Sequence, residues 1–340
     1  MILKFFRNSF IVFILVCIGY SPIFYFNIYE DPYSIFRFDY SNVRIEPNNH
    51  FIKMRFLLNK KNKFDSFIFG NSRANNVNPS LFTNGKYYNF YYSLGIPAEY
   101  KEDLRRFLKH KIKIKNLLIL LDYSSYSSGS GNRDLEMLRW PYPSSKLDIL
   151  KKHVSYAFQI PNKSFKSEYY NTPASDIYKK IFITGQAENK TVEDYIEANK
   201  STHINDPKFN YPYLGWTNLV DQTIQDLDTI KKLCIDNQIK VTFVLNPIHK
   251  TTYLANNPSL YYEFMKKLSN ITDFYDFGGI NKVTSNNYFY YETSHFRPMI
   301  GQAISRYIQY NEKIDSIPDF GTYITKQNIN TRIDELRKQQ

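Results

Sequence analysis

Cysteine is scarce in this sequence, with two residues in a chain of 340. Cys17 lies in an apolar N-terminal run and Cys234 stands alone far downstream, so no intrachain disulfide can staple the later part of the chain. Neither cysteine has a histidine or a second cysteine at the spacing of a zinc site. The scarcity therefore excludes a disulfide framework, and we expect no bound metal and no cofactor.

A cleavage site made of small residues is also missing after the N-terminal apolar run. Residues 10–26 are almost uninterrupted in apolar character, are near the minimum length for a membrane span, and end in the bulky residues 23–26. Val16 occupies the position where a lipoprotein signal ending at Cys17 would place a small residue. We therefore predict an uncleaved anchor at residues 1–27, with a cleaved signal peptide as the alternative.

The charges around this run predict its orientation. Lys4 and Arg7 precede the run, and positive residues favour the cytoplasmic side of a span. We expect residues 9–26 to contact the lipid bilayer. Everything after Asn27 would then lie outside the cytoplasm, in the periplasm or the extracellular space.

The net charge is +12, with a pI near 9.3. Such a balance favours acidic partners such as anionic glycans or membrane surfaces. The densest lysine clusters, at residues 60–63 and 110–115, flank predicted strands and are interpreted as solvated edges. Nucleic acid is not an expected partner, because export is predicted and no nucleic-acid-binding motif is recognisable.

Five apolar segments predict the strands of a sheet, at residues 65–70, 87–92, 116–123, 240–245 and 273–277. Most are continuously apolar rather than alternating, which is typical of a parallel sheet covered on both faces. Helical patterns lie before, between and after them, at residues 51–58, 98–110, 219–237, 258–268 and 298–310. Strand–helix alternation predicts a doubly wound α/β domain.

The domain organisation follows from these patterns. Residues 28–63 are predicted to be a juxtamembrane segment, residues 64–315 the main domain and residues 316–340 a tail that contains a charged helix. Residues 124–216 do not fit the alternation and are too long for a plain loop. We interpret them as an insertion that is either a substrate-binding cap over the active edge or a decoration away from it.

Two distant motifs together supply the groups for acyl transfer. Ser72 follows the first predicted strand in the sequence Gly-Asn-Ser-Arg, and Glu292 stands three residues before His295, just ahead of a helix. A serine hydroxyl becomes a useful nucleophile when an imidazole accepts its proton and a carboxylate orients that imidazole. Ser72 follows the first predicted strand, Asp122 ends the third and Asn246 follows the fourth, so all three are expected at one edge of the sheet.

These motifs resemble those of the SGNH, or GDSL-type, hydrolase family, and most of all its membrane-anchored branch associated with acyl groups on bacterial surface polysaccharides. Residues 70–73 resemble the first block of the family and residues 292–295 the last, while residues 87–100 resemble the second. The resemblance covers residues 65–123 and 240–310.

The resemblance implies a three-layer α/β/α fold with a parallel five-stranded, flavodoxin-like sheet. It also implies that Ser72 is the nucleophile, His295 the base and Glu292 the orienting acid. The backbone N–H groups of Ser72 and Gly95 would contribute to the oxyanion hole.

The chain departs from the family pattern at two positions. Glu292 replaces the usual aspartate, and Asp122 stands where the third block offers an asparagine; an aspartate there would repel an oxyanion unless protonated or turned away. Asn246 is a candidate substitute donor, with a turn cap before Pro247 as its structural alternative. Arg73, Asp122 and His249 are candidate substrate-binding residues.

Two classes of function follow. The first is an anchored serine esterase or O-acyltransferase that moves an acyl group, expected to be acetyl, off or onto an acidic or neutral surface polysaccharide. A membrane-bound partner could then supply the acyl donor. The second is a non-catalytic scaffold or glycan-binding component of a surface-polymer machine, which the altered third block favours. The sequence does not separate hydrolysis from transfer, because both pass through the same acyl-enzyme.

Overall fold

Six short segments form one sheet in the computed structural model, which describes residues 2–38, 40, 43–128, 137–215, 217–312, 317 and 320–339. The strands are β1 (Ser66–Phe69), β2 (Tyr87–Asn89), β3 (Asn116–Leu121), β4 (Lys240–Leu245), β5 (Phe274–Asp276) and β6 (Thr322–Ile324). Their order is β2-β1-β3-β4-β5-β6, with β6 antiparallel to β5 and every other pair parallel. The chain is therefore an α/β protein with a mostly parallel sheet.

The predicted count of five strands was wrong by one. All five predicted strands are present, and β6 was missed. It contains three residues, of which Tyr323 is exposed and only Ile324 is buried, so it shows no continuous apolar run. A short strand at the edge of a sheet pairs with one neighbour and buries few side chains, so its sequence shows little hydrophobic pattern.

Both faces of the sheet are buried because side chains alternate along each strand. In β3, Leu117, Ile119 and Leu121 pack into one hydrophobic cluster, while Leu118 and Leu120 pack into another on the opposite face. This explains why the strand reads as continuously apolar.

The described helices are α1 (Ile2–Phe24), α2 (Asn49–Asn59), α3 (Pro97–Lys109), α4 (Tyr123–Ser127), α5 (Lys146–Phe158), α6 (Lys163–Asn171), α7 (Lys190–Ala198), α8 (Lys200–Ile204), α9 (Val220–Asp236), α10 (Lys250–Ala255), α11 (Pro258–Ile271), α12 (Pro298–Tyr310) and α13 (Ile329–Arg337). Residues of α2, α3, α9, α11 and α13 contribute to the first cluster, and residues of α12 to the second. The tail assigned from the sequence contributes α13, whose Arg332 Nε donates to Asp276 Oδ2 at 2.8 Å.

Within the described residues, one helix is long and apolar enough to cross a membrane. Within helical residues Lys4–Glu30, the most apolar window of 18 residues has a mean hydropathy of 2.1, and 6% of that window is buried. They comprise most of α1 and the π-helix Tyr25–Glu30 that continues it. The low burial is unlike the core helix of a soluble domain, whereas a signal sequence would share this length and composition.

The segment between α1 and β1 packs against the insertion. A third hydrophobic cluster joins Ile35, Phe51 and Ile52 to Trp140, Tyr156 and Ile181. A bridge between Val43 and Ser175 adds backbone pairing between the same two regions. The segment assigned as juxtamembrane therefore contributes to a folded core.

Candidate active site

Strand order places the candidate nucleophile in a crevice of the sheet. The chain passes from β1 to β2 on one side and returns to β3 on the other, so the topological switch point lies between β1 and β3. Ser72 begins a 3₁₀-helix, Ser72–Asn76, just after β1. The Asn71 side chain caps it by accepting from Arg73 N–H at 3.1 Å. This cap fixes the turn that presents Ser72 at the carboxyl edge.

Ser72, His295 and Glu292 form one hydrogen-bonded chain. Ser72 Oγ is 2.7 Å from His295 Nε2, and His295 Nδ1 contacts Glu292 Oε1 directly. With Nδ1–H donating to the carboxylate, the Nε2 lone pair faces the serine hydroxyl. The arrangement meets the geometric requirement for a base-activated serine.

The loop before α12 is shaped by Glu292 itself. Its two carboxylate oxygens accept from His295 N–H at 2.9 Å and from Ser294 N–H at 2.7 Å. Burial alone would raise the pKa of Glu292, but these hydrogen bonds and the positive charges of His295 and Arg73 hold it below its ordinary value of 4.5. Glu292 is therefore ionised at neutral pH and favours a protonated His295 during the reaction.

Arg73 is a buried clamp between this loop and β3. Its Nε donates to Ser294 O at 3.1 Å, its Nη1 to Asp122 Oδ2 at 3.3 Å and its Nη2 to Tyr123 Oη at 3.0 Å. Neither Arg73 nor Asp122 lines the cavity at Ser72. The prediction that both contact substrate does not fit these positions, because each is buried and engaged within the protein. Arg73 instead positions the His295 loop.

His249 is also placed away from Ser72. It is buried, its Nε2 lies 2.9 Å from Asn287 Oδ1, and its Nδ1 accepts from Thr251 N–H at 3.3 Å. Burial lowers the pKa of His249, which favours the neutral ring. These contacts are structural and do not fit the predicted substrate contact.

The three predicted oxyanion donors are separated in the structure. Ser72 N–H has no hydrogen-bond partner within the described residues and stays available. Gly95 N–H instead donates to Tyr92 O at 3.2 Å and closes a turn. Asn246 points into a separate cavity of about 20 Å³ beside Asp122, where its amide atoms have no partner among the described residues. Gly95 and Asn246 therefore do not fit the predicted role.

An open cavity of about 660 Å³ adjoins the Ser72–His295 pair, within the usual range for small-molecule sites. Its other lining residues come from three regions: Asn75, Asn76, Asn78, Tyr91, Tyr291, Pro298 and Gln302 from the main domain, Ile177, Tyr178, Gln186, Ala187, Glu188, Asn189, Lys190 and Glu193 from the insertion, and Glu46 from the segment after α1. Part of the insertion thus lies over the active edge, while α5 and α6 lie elsewhere.

Glu46 is a carboxyl group of this cavity that sequence reasoning missed. Its Oε1 accepts from Ser93 Oγ at 2.6 Å and from Asn49 Nδ2 at 3.0 Å. Desolvation raises the pKa of Glu46 above its ordinary 4.5, although these hydrogen bonds and the charges of Lys53 and His295 oppose the shift. No motif marks Glu46, because it reaches the site only through the packing of its segment.

Glu46→Gln is expected to raise the thermal unfolding midpoint at pH 8 and to lose this advantage as the pH falls below 4.5. A raised folded-state pKa means that wild type loses stability as pH rises from the unfolded value through the folded one, because a charge must then be buried. Glutamine keeps the acceptor without the charge. Scanning calorimetry across this pH range tests the prediction. Glu188→Gln, an exposed member of the cavity paired with Lys180, is the matched control; an equal gain in both variants would contradict it.

Arg297 connects the insertion to the loop that carries His295. This side chain is 1% exposed, and its Nη2 reaches Glu193 Oε2 at 2.8 Å and Glu197 Oε1 at 2.6 Å on α7. Its Nη1 also donates to Tyr288 O at 3.0 Å. Arg297 follows His295 by two residues, and Glu193 of α7 lines the cavity. The ion pairs of Arg297 therefore fix this wall of the cavity relative to His295.

A second cavity, of about 690 Å³, lies at the opposite end of the sheet. Residues that begin β3, β4 and β5 line it, and no histidine is among its described lining residues. Among the described residues it therefore lacks an imidazole like the one that faces Ser72. The described residues also include no group of three or more histidine, cysteine or acidic side chains placed to hold a metal ion.

Comparison with known proteins does not assign the chain to a family. No protein-family model matches the sequence, and no curated protein is significantly similar to it. The geometry at Ser72 is therefore the basis on which function is argued.

Proposed function

We propose that the protein is a membrane-anchored, SGNH-like serine enzyme with a three-layer α/β/α fold that moves an acyl group, most simply acetyl, off or onto a polysaccharide outside the cytoplasm. The observation that carries this proposal is the Ser72–His295–Glu292 chain, whose serine end opens into the cavity of about 660 Å³. A nucleophile, a base and an orienting acid in that order are the requirements for an acyl-enzyme.

In the proposed reaction, His295 Nε2 takes the proton of Ser72 Oγ while that oxygen attacks the acyl carbonyl. The negative charge on the carbonyl oxygen is met by Ser72 N–H, and His295 returns the proton to the departing alcohol. In the second half, His295 deprotonates the acceptor as it attacks the acyl carbon, and then returns that proton to Ser72 Oγ as the bond between Ser72 and the acyl group breaks. Water as the acceptor gives hydrolysis, and a sugar hydroxyl gives transfer.

The chemistry of the cavity supports a carbohydrate. The amides of Asn75 and Asn78 can both donate to and accept from hydroxyl groups, and the side-chain oxygen of Gln186 can accept from them. Tyr91 and Tyr178 offer aromatic surface for the apolar face of a sugar. Three carboxyl groups against one lysine line it. The net charge of +12 attracts anionic polymers to the protein as a whole, whereas the site itself favours a neutral acceptor sugar.

A non-catalytic scaffold is the second candidate. The observation that favours it is the scarcity of oxyanion donors, since Gly95 N–H closes a turn and Asn246 lies in another cavity. The hydrogen-bonded order of serine, histidine and glutamate opposes it, because a scaffold has no need of a base aimed at a serine.

A membrane-impermeant fluorophosphonate tests the proposal, including its topology. Attack by Ser72 on phosphorus expels fluoride, so the probe should label wild type but not Ser72→Ala in intact spheroplasts of a bacterial host. Labelling only after lysis would place the domain in the cytoplasm. No labelling in either state, with the protein folded, would favour the scaffold.

A further inference from the structure

The helix α5 carries a stripe of exposed apolar side chains. Leu147, Leu150, Val154 and Phe158 recur at helical spacing and are 60%, 60%, 48% and 51% exposed. This set is called the α5 stripe below. Large apolar groups that recur along one helix face and stay exposed mark an interaction surface.

Another face of α5 is fixed to the protein. Tyr156 and Ala157 on this face are buried. Asn27, which follows α1, donates from its Nδ2 to Ala157 O at 3.2 Å and to Gln159 O at 2.7 Å. The α5 stripe is therefore held in one orientation relative to α1.

The α5 stripe is continuous with the apolar surface of α1. The ring of Phe158 packs against Phe24 with centroids 4.6 Å apart and against Tyr20 with centroids 6.1 Å apart. Most side chains of the long apolar helix are themselves exposed. What covers α1 should therefore also reach the α5 stripe at the end of the span.

A polar face borders the α5 stripe on one side. Lys151 and Ser155 are exposed there, and Lys151 Nζ pairs with Asp148 Oδ1 at 3.9 Å. A helix with one apolar face, a lysine-containing polar face and a position at the end of a span fits the boundary between headgroups and acyl chains. Lysine side chains at that depth can reach anionic headgroups.

We propose that α5 lies in the membrane interface beside α1, with the α5 stripe among the acyl chains of the bilayer. This inference rests on the proposed function for the anchor itself. A lipid bilayer is the occupant favoured by continuity with α1. The domain would then be attached along two elements rather than suspended from one helix.

Depth-dependent fluorescence quenching tests this in the full-length protein, reconstituted in vesicles of phosphatidylethanolamine and phosphatidylglycerol. Native Cys17, exposed on α1, carries the environment-sensitive label that reports on the anchor, while Cys234 is buried. In a Cys17→Ser background, Leu150→Cys reports on the α5 stripe and Ser155→Cys on the polar face of the same helix. Lipids with a spin label near the headgroup serve as quenchers.

We expect severalfold stronger quenching at position 150 than at position 155, and quenching at Cys17 by a more deeply placed spin label. Quenching at Cys17 with equal, weak quenching at positions 150 and 155 would overturn the inference while leaving the anchor intact. That result would leave a protein partner as the occupant of the stripe. No quenching at Cys17 would instead refute the anchor. If Leu150→Cys fails to fold, Val154→Cys replaces it on the same face.

Discussion

Replacing Ser72 by alanine is expected to reduce acyl turnover by on the order of 10⁶-fold, while the free energy of unfolding stays within about 0.5 kcal/mol of wild type. The Ser72 hydroxyl contacts His295 at the edge of an open cavity and fills no core position. Its loss removes the group that attacks the acyl carbon but little packing. Hydrolysis of 4-nitrophenyl acetate and thermal unfolding would measure the two quantities.

Ser80→Ala is the matched control for this prediction. Ser80 is an exposed serine on the neighbouring 3₁₀-helix Pro79–Leu81, and its backbone N–H donates to Asn78 Oδ1 at 2.9 Å. Its turnover should equal that of wild type. Wild-type turnover in Ser72→Ala would show that another group is the nucleophile, and equal losses in both variants would indicate a general disturbance.

His295→Gln and Glu292→Gln should both impair turnover, but unequally. Loss of the base removes the proton acceptor for Ser72 and is expected to cost on the order of 10⁶-fold in turnover. Loss of the carboxylate leaves the imidazole in place with a less favourable tautomer and a less stable protonated form, which is expected to cost roughly 10⁴-fold. Glutamine at position 292 can still accept the two backbone N–H groups that shape the loop.

Kinetics of both variants on the same activated ester decide the role of Glu292. If Glu292→Gln keeps the turnover of wild type while His295→Gln is inactive, another acid orients the base. Asp122, which follows β3, and Asp276, which ends β5, are the next acids to consider. Both are engaged elsewhere: Asp122 pairs with Arg73, and Asp276 pairs with Arg332 and accepts from Tyr261 Oη. Activity in both variants would exclude the triad and favour the scaffold.

The sequence predicted the elements that carry strong local signals. The limits of β4 and of α12 (Pro298–Tyr310) match the predicted residues 240–245 and 298–310. The second half of β4, Phe243–Leu245, is buried and apolar, as a central parallel strand requires, and Pro298 in the first turn marks the start of α12. Both elements therefore carry a local signal. β6 carries no such signal, and it was missed.

The residues of the site could be predicted where their role depends on the chemistry of the side chain. They could not be predicted where the role depends on the conformation of the backbone. Serine, histidine and glutamate can be identified from their side chains and spacing. Whether Gly95 N–H is free depends on a turn to Tyr92 O, which is a conformational property. Glu46 depends on how a segment 26 residues before Ser72 packs against the cavity, and no local pattern records that contact.

The distance along the chain between Ser72 and His295 affects when the proposed chemistry could first occur. Ser72 and His295 are 223 residues apart, and Arg297, which ties α7 to the base, follows later still. During synthesis Ser72 therefore leaves the ribosome long before its base, and synthesis from the N-terminus completes the cavity only near the end. A nascent chain carries an unactivated serine, so the proposed acyl chemistry would begin only after nearly the whole domain has been synthesised.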